Sequence, residues 1–230
     1  MNICIIYSNT NTKGKHDASG AFEPYAEKFR VLHKVPIDNC TGVKFPGVPT
    51  PKRRRVVYDA IHANGRREKL DMLALFMHGW PSGIQAGVNK NNLPNFVDLL
   101  TQTCKPSVRI VLYACLAAEN DVRDSERKRL GPATDGGFAD TLRDLMSAAG
   151  LTDGWVDAHK TAGNALWNPF VVRFVCQVRP QHAYPELYRG GAWLVEPGSQ
   201  YWSEWCKHDN LDLWYPFMTQ AQIFQELANR

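Results

Sequence analysis

His78 and Cys115 each stand at the end of an apolar run, and together they carry the side chains of a thiol-dependent hydrolysis. Leu70 to Met77 is apolar apart from Asp71 and stops at His78-Gly79, while the β-rich run Val108 to Ala114 stops at Cys115. A thiolate is a strong nucleophile, and a neighbouring imidazole makes it available near neutral pH and returns the proton later. Gly79 adds a third part. Without a Cβ it lets backbone approach a substrate carbonyl, and its N–H, with that of Cys115, can form an oxyanion hole.

Positioning these groups is the task of the elements around them. The two residues lie 37 positions apart, and between them Asn92 to Thr103 has apolar residues at 93, 96, 97, 99 and 100, the spacing of a helix. Strand, helix, strand with continuous apolar strands is the pattern of a parallel sheet. A right-handed crossover brings both strand ends to one edge. Neighbouring strands lie about 4.8 Å apart, so the imidazole and the thiol would meet at the edge where open α/β sheets place their sites.

Further strands are expected at Asn2 to Tyr7, Arg30 to Val35, Trp155 to Ala158 and Phe170 to Val178. Helices are expected at Val56 to Lys69 and, with apolar residues at 138, 139, 142, 145, 146 and 149 and a stop at Gly150, at Phe138 to Ala149. Residues 10–24, Asn39 to Pro51 and Trp80 to Gly87 read as loops. The tail from Ala192 carries four of the seven tryptophans and ends in a short helix near Ala221 to Ala228. No repeat or clean linker divides the chain. One α/β domain over 1–230 is expected, with a mostly parallel sheet, helices on both faces and an aromatic-rich extension over about 192–230.

Composition agrees with a self-sufficient core: 230 residues, 44% hydrophobic, 22% charged, 11% aromatic. A net charge of +4 is too small to argue for nucleic acid or a membrane surface. Met72 to Met77, the longest strongly apolar stretch, is far short of the roughly 20 residues a membrane span needs. No secretory leader is read at the N-terminus, so a cytoplasmic location is expected. Cysteines at 4, 40, 104, 115, 176 and 206 have neither zinc-ribbon spacing nor the look of a disulfide framework. His16, His33, His62, His182 and His208 form no ligand-spaced pair, so neither metal nor cofactor is expected.

Leu-Ala-Leu-Phe-Met-His78-Gly79 followed by Ile-Val-Leu-Tyr-Ala-Cys115 resembles the caspase-like cysteine peptidases: an apolar strand ending in His-Gly, then a later one ending in Ala-Cys. Papain-like enzymes have the opposite order. The resemblance spans about residues 1 to 180, with its specific motifs within 70 to 117. It implies a caspase-like three-layer sandwich and a cysteine endopeptidase acting on protein or peptide substrates as a monomer or homodimer. His78 and Cys115 would be the dyad, and the amides of Gly79 and Cys115 the oxyanion hole.

The chain also departs from that family. Tyr113 stands where metacaspases often carry an acidic residue, and Leu116-Ala117-Ala118 stands where many relatives have a small residue and then glycine. Substrate preference is therefore not carried over.

Around the dyad, Asp157 is a candidate for binding a basic substrate side chain, and Trp80 and Trp167 are candidates for lining the cleft. Glu119 to Arg129 resembles the cleavable linker of caspases, with Arg127-Lys128-Arg129 suited to self-cleavage; the plainer reading is a solvated segment. Lys52 to Arg55, with Arg66 and Arg67, reads as a solvated basic surface. A site pairing Cys115 with His159 and Asp157 is disfavoured, because no Gly-x-Cys-x-Gly elbow surrounds the cysteine. Two rival functions stay open: a catalytically inactive module that recruits a partner, and an amidase acting on non-peptide amides.

Overall fold

The computed structural model describes residues 1–9, 22–45, 49–119, 136–159 and 171–177, and the backbone of 192–195. Seven strands form the main sheet: β1 (Ile3–Ser8), β2 (Cys40–Val43), β3 (Leu70–Phe76), β7 (Cys104–Tyr113), β8 (Trp155–His159), β9 (Val171–Val175) and β10 (Ala192–Val195), in the order β10-β9-β8-β7-β3-β1-β2. The five from β8 to β2 are parallel, and β9 runs antiparallel to both its neighbours.

Parallel neighbours need long crossovers, and helices supply them. α2 (Thr50–Gly65) follows β2, α3 (Leu93–Thr103) precedes β7, and α4 (Phe138–Ala148) precedes β8. All three cover one face. Val57 and Ile61, Phe96 and Leu100, and Phe138, Leu142 and Met146 pack on Ile6, Leu73, Leu75, Ile110, Leu112 and Phe174 in one continuous core. The opposite face is covered by α1 (Phe22–Leu32). There Phe29 meets Phe76 edge to face at 5.5 Å between ring centroids, and Tyr25 lies 5.3 Å from Tyr113. The protein is thus an α/β fold with helices on both sides of a mostly parallel sheet.

Three local expectations are corrected. Residues 30–35 are not a strand: α1 runs to Leu32 and buries Tyr25, Ala26 and Phe29 on one face, leaving Val31 and Leu32 outward. The first three residues of that six-residue window are the last of an eleven-residue helix and His33 and Lys34 turn out of it, and joining parallel β1 to β2 requires such a crossover. The stretch from Asn39 to Pro51, expected to be irregular, contains β2. That edge strand is only four residues long, and its Gly42 leaves the space that the Tyr7 ring fills, a Cβ there falling 2.8 Å from the ring. Trp80 to Gly87 is not a plain loop but part of a small antiparallel sheet, β4 (Gly79–Trp80), β5 (Gly83–Ile84) and β6 (Val88–Asn89).

The expected elements at Asn2 to Tyr7, Val56 to Lys69, Leu70 to Met77, Asn92 to Thr103, Val108 to Ala114, Phe138 to Ala149, Trp155 to Ala158 and Phe170 to Val178 are present, with shifted ends. Arg173 is not on an edge strand, since β10 covers β9. Trp167, residues 120–135 and the tail beyond Val195 lie outside the described residues. Among the described residues, no helix is long and apolar enough to cross a membrane.

Candidate active site at the sheet edge

β3 and β7 are direct neighbours, and Phe76 and Tyr113 are register partners at their C-terminal ends. His78 and Cys115 therefore each stand two residues beyond the same rung of one parallel ladder. Contact persists past the strand ends. The Met77 N–H donates to the Tyr113 carbonyl at 3.3 Å, and a Cβ built on Gly79 would lie 2.7 Å from the Cys115 carbonyl oxygen and 2.8 Å from the Ala114 Cβ. Both side chains are partly exposed.

Gly79 is a glycine for reasons of space. Any side chain would press on backbone, which cannot swing aside as a flexible side chain can. We predict that Gly79→Ala costs about 1–3 kcal/mol, the usual penalty of overpacking, and changes the exposure of Cys115. Thermal unfolding and thiol labelling of that variant check it; unchanged stability and labelling would refute the close packing.

The backbone around His78 is clamped. The His78 N–H donates to Gln85 Oε1 at 3.3 Å, and the Gln85 N–H donates to the His78 carbonyl at 2.9 Å. Gln85 is buried, and nothing in the sequence pattern points to it. The second bond also sets the register of the small sheet. It makes Gly79 and Ile84 a non-hydrogen-bonded pair, so the Gly79 N–H points away from β5 and is not spent on the ladder. The His78 ring packs edge-on against Phe22 at the start of α1, with centroids 5.2 Å apart and planes at 81°.

Cys115 is the second residue of a tight turn that begins at Ala114. The Ala117 N–H approaches the Ala114 carbonyl at 3.5 Å, and Leu116, third residue of that turn, has φ +60°. A non-glycine residue in the left-handed region costs roughly 1–2 kcal/mol, and the fold holds it there. The Ala118 N–H donates to the His159 carbonyl, and the first amides of α4 tie both motifs together. Phe138 N–H donates to Pro81 O at 2.9 Å, three residues after His78, and Ala139 N–H donates to Ala117 O at 3.0 Å, two after Cys115. Amides that a helix start leaves unsatisfied are here used to fasten the histidine hairpin to the cysteine turn.

Asp157 is the residue whose expected role changes most. β8 continues to His159, so Asp157 lies inside the strand, directly opposite Arg173 of β9 and on the same face as Arg109 of β7. It is 1% exposed. Arg109 Nε donates to Oδ2 at 2.8 Å, Arg173 Nε to Oδ1 at 2.8 Å and Nη2 to Oδ2 at 3.1 Å, and Trp155 Nε1 to Oδ2 at 3.2 Å. Burial pushes this carboxyl upward, but Arg173 and then Arg109 outweigh it and hold it below the usual range. Both guanidiniums also lie against the Trp155 ring. The carboxylate is taken up in the sheet, so the substrate role expected for it is withdrawn, and the triad with His159 loses its acid. His159 itself is buried, its ring edge-on to Tyr113 at 4.9 Å.

Trp80 is 49% exposed and lines a cavity of about 260 Å³ beside the small sheet. Among the described residues, no group of three or more His, Cys, Asp or Glu is placed to hold a metal ion. No known protein family, curated protein or solved structure matches the chain.

Proposed function

We propose that the protein is a cysteine endopeptidase of the caspase-like type, with Cys115 as nucleophile and His78 as acid and base. The observation that carries this reading is the shared rung: His78 and Cys115 both stand two residues past register partners on adjacent parallel strands, with Gly79 pressed against the Cys115 backbone. His78 takes the Cys115 thiol proton as the sulfur bonds to the scissile carbonyl carbon, and the Gly79 and Cys115 amides receive the oxyanion that the opened C=O bond leaves. His78 delivers a proton to the leaving amine as the C–N bond breaks. It then takes a proton from water, which displaces the thiol from the acyl-enzyme. The reaction needs no cofactor, and the substrate is a protein or peptide in the cytoplasm.

Selective alkylation tests the nucleophile. Burial pushes the other described thiols up, Cys4 and Cys176 to about 12 and Cys40 and Cys104 to about 11. At neutral pH those four stay protonated and unreactive. Iodoacetamide followed by peptide mapping is expected to modify Cys115 well before Cys4, Cys40, Cys104 and Cys176, with the preference lost in His78→Ala. Uniform slow labelling would count against catalysis and for an inactive binding module. Cleavage of small amides but not of a peptide library would point to an amidase instead.

A further inference from the structure

The positive charge of the chain is concentrated on one element. Between Thr50 and Lys69, α2 and the turn after it carry seven Lys and Arg against two acids, an excess of +5, whereas the whole chain carries +4. Val57, Ile61 and Gly65 are the buried residues of α2, while Lys52, Arg55, Asp59, His62 and Arg66 are exposed. Steps of three, four, three and four residues keep these five on one ridge, directed away from the sheet. At 1.5 Å per residue the ridge is about 21 Å long. The exposed Arg67 adds a further cation at its end.

Few of these cations are spent within the protein. Both acids are engaged: Asp59 lies 3.8 Å from Arg55, and Glu68 lies 4.0 Å from Lys105. Lys69 donates to the carbonyls of Thr101 and Gln102 and so belongs to the end of α3. Lys52, Arg66 and Arg67 make no ion pair among the described residues. Helix electrostatics does not account for them either. The first turn of a helix favours acidic side chains, yet α2 has none there and opens with Lys52-Arg53-Arg54-Arg55. The helix end itself offers little to an anion, since Pro51 has no N–H and the Lys52 and Arg53 amides donate to the Pro49 carbonyl. Side chains supply the attraction.

The ridge also limits what it can bind. Arg55, Arg66 and Arg67 present planar forks that match phosphate oxygens. Val56, 45% exposed, is the one large apolar side chain turned outward on α2, too little to enter a lipid interface. No exposed Phe, Tyr or Trp stands on the ridge to stack an unpaired base. A duplex backbone fits better, because about six base pairs at roughly 3.4 Å each match the length of the ridge. We propose that the outer ridge of α2 binds the phosphate backbone of a double-stranded nucleic acid, independently of base sequence and of the Cys115 dyad.

Fluorescence anisotropy of a labelled DNA duplex of about 20 bp, titrated with the protein, tests this surface. Affinity should fall about 10²-fold between roughly 50 and 200 mM NaCl, as expected for about four phosphate contacts. A duplex of scrambled sequence should bind equally well. Lys52→Glu and Arg66→Glu should each weaken binding by about fivefold or more and flatten the salt slope by about one. The charge-matched Lys28→Glu, exposed on α1 across the sheet, should change neither. No binding at about 50 mM NaCl, or equal losses in Arg66→Glu and Lys28→Glu, overturns the proposal. Competition by poly-glutamate as effective as by unlabelled duplex also overturns it, since the ridge would then serve an acidic protein. Tighter binding to vesicles of about 30% phosphatidylserine than to duplex would assign the ridge to membranes instead. The readout is binding alone, so failure of the peptidase reading leaves this surface standing, and failure here leaves the dyad.

Discussion

Replacing Cys115 with alanine is expected to lower peptide hydrolysis by about 10³-fold or more while leaving the fold intact. The side chain lost is small and partly exposed, in a turn whose backbone bonds do not involve the sulfur. His78→Ala is expected to cost a similar factor. The two losses should not add, because nucleophile and base act as one unit. A double variant no worse than either single one, with unchanged circular dichroism and melting temperature, is the result expected of a dyad. Turnover of a peptide library that survives in Cys115→Ala sinks the mechanism outright, since no other described thiol lies at that sheet edge.

The second large effect concerns stability. Asp157→Ala is expected to destabilise the protein by about 3–5 kcal/mol, the usual consequence of leaving buried charge without its partner. Arg109 and Arg173 are only 14% and 12% exposed at the side chain, and both direct an Nε donor at this one carboxylate. Asp157→Asn keeps an acceptor for the Trp155 indole but loses the charge, so it should fall between wild type and alanine. Chemical denaturation of the three proteins checks the order.

The ion pairs also give a pH signature. The carboxyl is held down in the folded protein, and its unfolded value is about 3.9. Its contribution is therefore fully present above that value and disappears as pH falls through the lower folded one. Wild type should lose stability in that acid window, and Asp157→Asn should lose less. Parallel pH–stability curves for the two would refute the assignment.

Much of this was legible in local pattern. Apolar runs ending at His78 and Cys115 and the helical spacing over 93–103 are properties of short windows, and a parallel pair is nearly the only way to join such elements. The fate of Asp157 was not legible. Placing an acidic residue at a strand end rather than inside it depends on where β8 stops, and its two arginines come from positions 48 residues before it and 16 after it. The register of two separate strand pairs brings them together. The end of α1 differs from expectation for a related reason: Arg30 to Val35 is a short window with apolar residues at 31, 32 and 35 closed by Pro36, and only the sheet face beneath Tyr25, Ala26 and Phe29 makes a helix to Leu32 the better burial.

By itself the amino-acid order determined which residue types close the two central strands, because runs of apolar side chains and the breaks that end them are local. Tertiary structure alone decided what surrounds them: the Gln85 clamp on His78, the α4 amides that fasten hairpin to turn, the cavity beside Trp80, and the buried carboxylate shared by two arginines. Each of these depends on hydrogen bonds or close packing between segments distant in the chain. Such contacts leave no periodicity behind, since they arise when the core brings remote residues within about 3 Å of one another.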